Sequence, residues 1–321
     1  MKLIAPRRAP IVGTGREWAI TPGRRRRRRG SHTSPWWALL FVGPTFAGLA
    51  VFYLYPTVRT LWISLNDMGP FGNATFVWFD NYAKLFADDV FITSLRNTFV
   101  YSLIVLLGIP IATVIAAMLN TPGLRARGVY RTLFFLPVVT LPAVVAIVWR
   151  LIYNGDYGIL NQVLGFLGIK GTSWVTDPHT ALAAISVVGI WMGLGTNIVI
   201  LLAGLQSIPD TAFEAAKIDG AGPIRTFFSI TVPLLSPSIF IVSVIGLIGS
   251  LQVFDIVYLM LGSDANPVKP EVRSVVYTFY QFGFGRNQYG YAAAIGFALM
   301  VIVLILTAVQ FRLQKRWVHY E

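Results

Sequence analysis

The strongest constraint on this chain is the spacing of its apolar residues. They fall in six blocks of roughly twenty or more, the length at which an α-helix crosses the hydrocarbon core of a bilayer. The blocks cover about 36–62, 97–119, 130–152, 180–204, 236–261 and 289–311. Only 12% of residues are charged, against 55% hydrophobic, whereas a soluble globule is about a quarter charged. A backbone in lipid must satisfy its own hydrogen bonds, and these blocks are too long and too continuous for barrel strands. The expected fold is therefore all-α, a polytopic membrane protein with six transmembrane helices. Prolines at 44, 56, 137 and 142 lie inside the first and third blocks and are expected to kink them.

Orientation follows from the basic residues. Ten of the 26 lysines and arginines lie in residues 1–35, six of them in the run Arg24 to Arg29. With the N-terminus inside, the inner segments carry eighteen basic residues. The outer segments carry five, and Arg59, Arg96 and Arg150 stand at outer helix ends. The positive-inside rule then puts both termini in the cytoplasm. Residues 1–35 read as a basic, disordered cytoplasmic tail. No aromatic residues interleave its arginine run, so a solvated tail is favoured over a nucleic-acid site. No apolar stretch of signal-peptide length precedes the first block. The loops 63–96 and 153–179 read as short structured caps on the outer side.

Catalytic chemistry finds little purchase. The chain has no cysteine, and its three histidines, His32, His179 and His319, are scattered. The sequence holds no G-x-x-x-x-G-K-[ST] phosphate loop; "GIKGTS" at 168–173 has the wrong spacing. No cofactor is expected on this chain. If transport is driven by ATP, the energy must enter through a partner.

Two helix faces and one loop draw attention. On the fourth block, Gly189, Gly193, Thr196 and Asn197 share about a third of the helix circumference; on the fifth, Gly246, Gly249, Ser250 and Val253 form a similar stripe. Small residues serve either close helix packing or a polar pathway, and periodicity alone leaves both open. Gln252 and Asp255 fall on the opposite face of the fifth block. Asp255, the one acidic residue expected well inside a span, is a candidate for substrate binding or for an ion pair with Arg150. Between these blocks lies "FEAAKIDGAGPIRTFFSITVPLL", 213–235. Pro209-Asp210 suits a helix start, Gly220 a left-handed helix end and Pro223 the first turn of a second helix. Such a hairpin serves equally as a connector lying on lipid or as a docking site.

The run Glu214-Ala215-Ala216, three residues, Gly220, nine residues, then Ile230-Thr231-Val232-Pro233 resembles the EAA loop of inner-membrane permease subunits of binding-protein-dependent ABC importers. Valine stands at 232 where leucine is commoner. "DGAG" at 219–222 is similar to the carbohydrate-uptake permeases of the maltose type, as are "LYPTVRTLWISL", "FDNYAKLF", "RGVYRTLFFLPVV", "WRLIYNGDYGILN" and "FDIVYLML". The resemblance runs from about residue 36 to the end and excludes the arginine tail.

It implies a six-helix type I permease domain over 36–321, with a coupling loop at about 205–235 that docks on a cytoplasmic ATPase. Glu214, Ala215, Ala216, Asp219, Gly220, Arg225 and Pro233 would form that loop, and the stripes on the fourth and fifth blocks would line the substrate route. The implied partners are a second permease subunit in a heterodimer, two ATPase subunits that bind ATP and magnesium, and an extracytoplasmic solute-binding protein. The implied cargo is a sugar, an oligosaccharide or a polyol such as a glycerol phosphate derivative. The alternative is an ion-coupled secondary transporter, which needs intramembrane carboxylates; a membrane enzyme or scaffold has no support in the sequence. Reporter fusions at residues 75, 170 and 275 should register outside and those at 125 and 220 inside. An external signal at 220 would remove the docking reading of the loop.

Overall fold

The computed structural model describes residues 35–121, 123–262 and 266–318. The basic tail with Arg24–Arg29 lies outside the described residues. The chain divides into two units, Met1–Leu54 and Tyr55–Glu321. In the first, helix α1 (Pro35–Leu49) encloses Pro44 and runs into a π-helical turn, Ala50–Leu54. Its apolar side chains, among them Leu40, Phe41 and Phe46, are exposed, as a helix surrounded by hydrocarbon requires.

The second unit begins with α2 (Tyr55–Ser64), a two-stranded hairpin of β1 (Asn66–Met68) and β2 (Ala74–Phe76), and α3 (Asp80–Ala87). The strands are antiparallel with Asp67 opposite Thr75. Then come α4 (Asp89–Leu106) and α5 (Gly108–Asn120), which together form one 32-residue apolar stretch. Next are α6 (Arg127–Val139), α7 (Pro142–Ile152), α8 (Ile159–Phe166) and the unbroken 27-residue α9 (Ala181–Ser207). The loop helices α10 (Asp210–Ile218) and α11 (Pro223–Thr226) follow, then a π-helical turn (Phe227–Thr231) and α12 (Val232–Leu234). The chain ends with α13 (Ser236–Leu251), α14 (Asp255–Leu261), α15 (Lys269–Val272), α16 (Val275–Tyr280), a π-helical turn (Gln281–Gly285) and α17 (Tyr289–Trp317).

The fold is all-α apart from the small hairpin. Among the described residues four helical stretches are long and apolar enough to span, Leu39–Ser64, Asp89–Asn120, Ala181–Ser207 and Tyr289–Trp317. Two bent pairs bring the number to six.

Three expectations are corrected. The second span starts at Asp89 rather than near 97. The Asp88 side chain caps it by accepting from the Val90 N–H at 2.9 Å. Its first turns bury Ser94, Asn97 and Thr98, whose polar groups lower the local hydropathy but are satisfied by backbone partners. The third span is not one rod: α6 and α7 meet at 105°. Pro142 has no N–H to continue α6 and forces Leu141 into an extended conformation, ψ 133°. The fifth span ends at Leu251, ten residues before the expected 261, and its approach from Pro223–Leu234 is bent by 69°. Gln252 to Phe254 leave the helix, so Val253, Gln252 and Asp255 do not continue the faces of α13.

Three apolar clusters hold the second unit together. One joins α7, α9 and α14 through Val145, Ile185 and Val257. A second packs α17 against α4, α13 and α16 through Ile295, Phe91, Leu251 and Val275. The third gathers Ala116, Leu201, Leu205 and Val242 from α5, α9 and α13. Helix α9 contributes to the first and the third.

The loop 153–179 is held by one side chain. The Asn161 amide N–H groups donate to the backbone carbonyls of Asn154 (3.3 Å), Gly155 (2.9 Å) and Thr172 (2.9 Å). Its carbonyl accepts from Trp174 Nε1 at 2.7 Å. Asp177 stands at the entry to α9, and the His179 N–H, followed by the Thr172 hydroxyl, holds its carboxyl below the usual range. At about 1 kcal/mol net per hydrogen bond, Asn161→Ala should loosen this cap by about 2–4 kcal/mol. Hydrogen exchange over 153–174 should rise while α17 keeps its protection.

Candidate coupling hairpin and translocation face

The hairpin after α9 is built by local rules. Ile208 and Pro209 are extended, and Pro209 occupies the N-cap position of α10. That helix closes with a Schellman motif. The Ala221 N–H donates to the Ala216 carbonyl at 2.9 Å and the Gly220 N–H to the Lys217 carbonyl at 3.1 Å. Gly220 sits at φ +70°, with nothing within 4 Å of where a Cβ would stand. The need for glycine is therefore backbone conformation and not space. Pro223 opens α11 in its first turn.

One face of α10 belongs to the membrane domain. Ala212 and Phe213 pack on the cluster formed by the ends of α5, α9 and α13, and Ala216 is only 4% exposed. The two small alanines thus do different things. Ala216 is consumed by the chain's own packing, and Ala215 faces outward with Glu214, Lys217, Ile218 and Asp219. Ile218 (86% exposed), Ile224 (75%) and Phe228 (67%) add large apolar surface, and Arg225 is exposed beside them. Glu214 lines a cavity of about 550 Å³ with Asp210, Phe213, Lys217 and Asn120. Pro233 is half-buried in α12, and its carbonyl accepts from the Ser236 hydroxyl at 2.6 Å. The outer face of the hairpin therefore mixes aliphatic, acidic and basic groups on a short rigid element rooted in α9 and α13.

The small-residue stripes divide. A Cβ on Gly189 would collide with the Tyr101 hydroxyl and with Val105, so this glycine admits α4. Gly246 faces Leu106 at 3.3 Å in the same sense. By contrast, a Cβ on Gly193 would meet only the Asn197 amide, at 3.8 Å, and one on Gly249 would meet nothing. Thr196 is exposed and Asn197 half-exposed. Ser250 is buried, its hydroxyl donating to the Leu247 carbonyl at 3.1 Å. Val253 is off the helix, its carbonyl accepting from the Ser274 hydroxyl at 2.7 Å. Trp191 packs edge-on against Trp149, ring centroids 5.8 Å apart.

Asp255 does not continue the helical face of α13. It is the exposed first residue of α14, and no ion pair joins it to Arg150 among the described residues. The Arg150 guanidinium lies instead beside Gly262 and faces a cavity lined by Asn154, Ser173 and Asn266. Gln252 is exposed at the end of α13 and borders Val276 and Met300. Sequence reasoning missed Tyr101, whose contact with α9 closes one stripe, and Asn161, which organises the loop. Neither carries a periodic or motif signal.

Residues 104–319 match the family described as "Binding-protein-dependent transport system inner membrane component". The chain belongs to this family. It is a multi-pass permease subunit of an inner-membrane ABC import system. It is 34% identical over 298 residues to the sn-glycerol-3-phosphate transport system permease protein UgpA of Yersinia pestis, covering 91% of this chain and 99% of that one. It is also 34% identical to the arabinooligosaccharides transport system permease protein AraP of Bacillus subtilis, covering 85% and 87%. A permease chain in the crystal structure of a bacterial alginate ABC transporter superposes with a TM-score of 0.77 at 23% identity, covering 89% of this chain and 96% of that one. That likeness shows a shared fold.

Within this permease, Gly220→Val should strain the hairpin by about 1–2 kcal/mol. Asparagine tolerates the left-handed region better, so Gly220→Asn should cost less. Hydrogen exchange over 210–226 should rise in the order wild type, Asn, Val, with α9 unchanged.

Proposed function

We propose that this permease carries a hydroxyl-rich solute, a sugar, oligosaccharide or polyol such as a glycerol phosphate derivative, through an ATP-driven importer. The observation that carries the reading is the continuity between hairpin and route. Helix α9 bears the open Gly193, Thr196 and Asn197 on its middle turns, and its end leads through Pro209 into α10. A push on the hairpin therefore moves the helix that carries the open polar face. The side chains of Thr196 and Asn197 make no hydrogen bond among the described residues. Hydroxyl and amide groups of this kind suit a polyol, which needs donors and acceptors more than a counter-charge. Relatives named for glycerol-3-phosphate and arabinooligosaccharide transport support the same class of cargo.

The remaining parts follow from the same reading. Glu214, Ala215, Asp219 and Arg225 meet a cytoplasmic ATPase, and Ala216, Gly220 and Pro233 shape the surface that they occupy. Two such ATPase subunits bind ATP and magnesium, and this chain performs no covalent chemistry. A second permease subunit completes the route, and a solute-binding protein delivers cargo on the opposite side. Both termini and the hairpin are cytoplasmic. An ion-coupled carrier would have Asp255, the first residue of α14, as its one candidate carboxylate.

The test is uptake into liposomes by the importer purified with its ATPase and binding-protein subunits. Labelled glycerol-3-phosphate, a pentose oligosaccharide and an amino acid serve as probes. Uptake of one of the first two should require internal-face ATP, and Asn197→Leu should lower it about tenfold or more while ATPase retention is unchanged. Gly189→Val should instead reduce assembly, because Tyr101 occupies the space. Uptake driven by an ion gradient without ATP, or amino-acid uptake alone, would sink the reading.

A further inference from the structure

Helices α6 and α9 touch where Gly195 meets Val138 and the Phe134 carbonyl, an approach that no side chain on residue 195 would allow. Beside this contact they enclose a cleft of about 470 Å³ that reaches Arg131 and Gln206. Its walls are apolar, formed chiefly by Phe134, Phe135, Ile198, Val199 and Leu202. Its polar groups lie at the hairpin end: Arg131, Thr132 and Gln206. Gln206 also lines the cavity that runs under Asp210 and Glu214, so this end lies at the level of the coupling hairpin. No carboxylate is among the lining residues.

A second cation reinforces the first. Arg127 precedes Arg131 by one helical turn, the spacing that puts two side chains on one face. It donates from one terminal nitrogen to the Asn120 side chain at 3.2 Å, while its buried Nε has no hydrogen-bond partner. The first turn of α6 follows Ala126 at φ +58° and has no side-chain cap, so its free N–H groups add to the positive end.

We propose that this cleft is a site for an anionic phospholipid of the hairpin-side leaflet, with one acyl chain between α6 and α9 and the phosphodiester at Arg127 and Arg131. Two features select this occupant. The cleft lies between two apolar helices that belong to candidate membrane spans, so an acyl chain has a route into it from a surrounding bilayer. Arg131 lines the mouth and Arg127 stands one turn away on the same face of α6, near the start of the bent span, and basic pockets between membrane helices hold acidic lipids. The bound lipid would wedge α6 against the half of α9 that leads into the hairpin.

The full-length chain, purified in detergent with the subunits it retains, is exposed to equal amounts of phosphatidylglycerol and phosphatidylcholine. Retained lipid is then counted by native mass spectrometry. Phosphatidylglycerol should be retained about tenfold over phosphatidylcholine. Arg127→Gln with Arg131→Gln should abolish that preference. Ala203→Trp fills the cleft while leaving both arginines in the chain and should lower phosphatidylglycerol retention as well. Equal retention of the two lipids by the unsubstituted chain overturns the proposal, and this comparison stands even if a variant fails to assemble. Unchanged retention in Ala203→Trp would reduce the site to an anion contact at the arginines and equally overturns it. The chain has no native cysteine, so Val199→Cys gives a single label. Its crosslinking to another protein subunit would show that a partner, not lipid, fills the cleft. None of these readouts depends on the identity of the transported solute.

Discussion

Close packing around α9 is the constraint on which the rest of the second unit depends. This unbroken helix contacts α4, α5, α6, α13, α14 and α15. Lipid tails are as apolar as leucine, so helices in a membrane are not driven together by exclusion from water; they associate through close contact. Three glycines supply it on different sides of α9. Gly189 admits Tyr101 of α4, Gly195 admits the backbone of α6, and Gly204 admits Ser238 and Leu235 near the start of α13. Larger residues at these points would hold the neighbours apart and open the clusters that Ile185 and Leu201 fill.

That arrangement explains how a surface hairpin becomes mechanical. Helix α10 does not hang from a linker. Ala212 and Phe213 pack on the cluster formed by α5, α9 and α13 and Ala216 is buried, while Ala215 and Ile218 are exposed. The Schellman closure at Gly220 and the proline starts at 209 and 223 fix the turn on both sides. The hairpin is thus seated on three spans and its turn is fixed at both ends.

The prolines shape the spans as much as composition does. Pro142 turns α7 by 105° from α6, yet both pieces still find α9 or its cluster: α6 at Gly195, α7 through Val145 and Ala146. Asn97 and Thr98 bind the segment that carries α15 and α16: the Asn97 amide donates to the Pro270 carbonyl and the Thr98 hydroxyl accepts from the Val275 N–H. Polar side chains inside the spans thus serve long-range attachment. That is why the hydropathy of the Asp89–Asn120 stretch understates its length.

The sequence by itself determined the all-helical membrane class, the number of spans, the helix-turn-helix form of the hairpin after α9 and the glycine that ends α10. Each of these depends on a residue's own backbone preference or on its neighbours within one helix. Tertiary structure decided what stands opposite. Gly189 and Gly193 are the same residue one turn apart on one face, and periodicity gives them one role. Only the fold puts Tyr101 over the first and leaves the second open. The same holds for Asp255, which the sequence puts on one face of a continuous fifth span and the fold puts at the start of a separate helix, α14. A helical period reports which side of its own helix a residue occupies; the neighbour on that side is set by the packing of segments far apart in the chain.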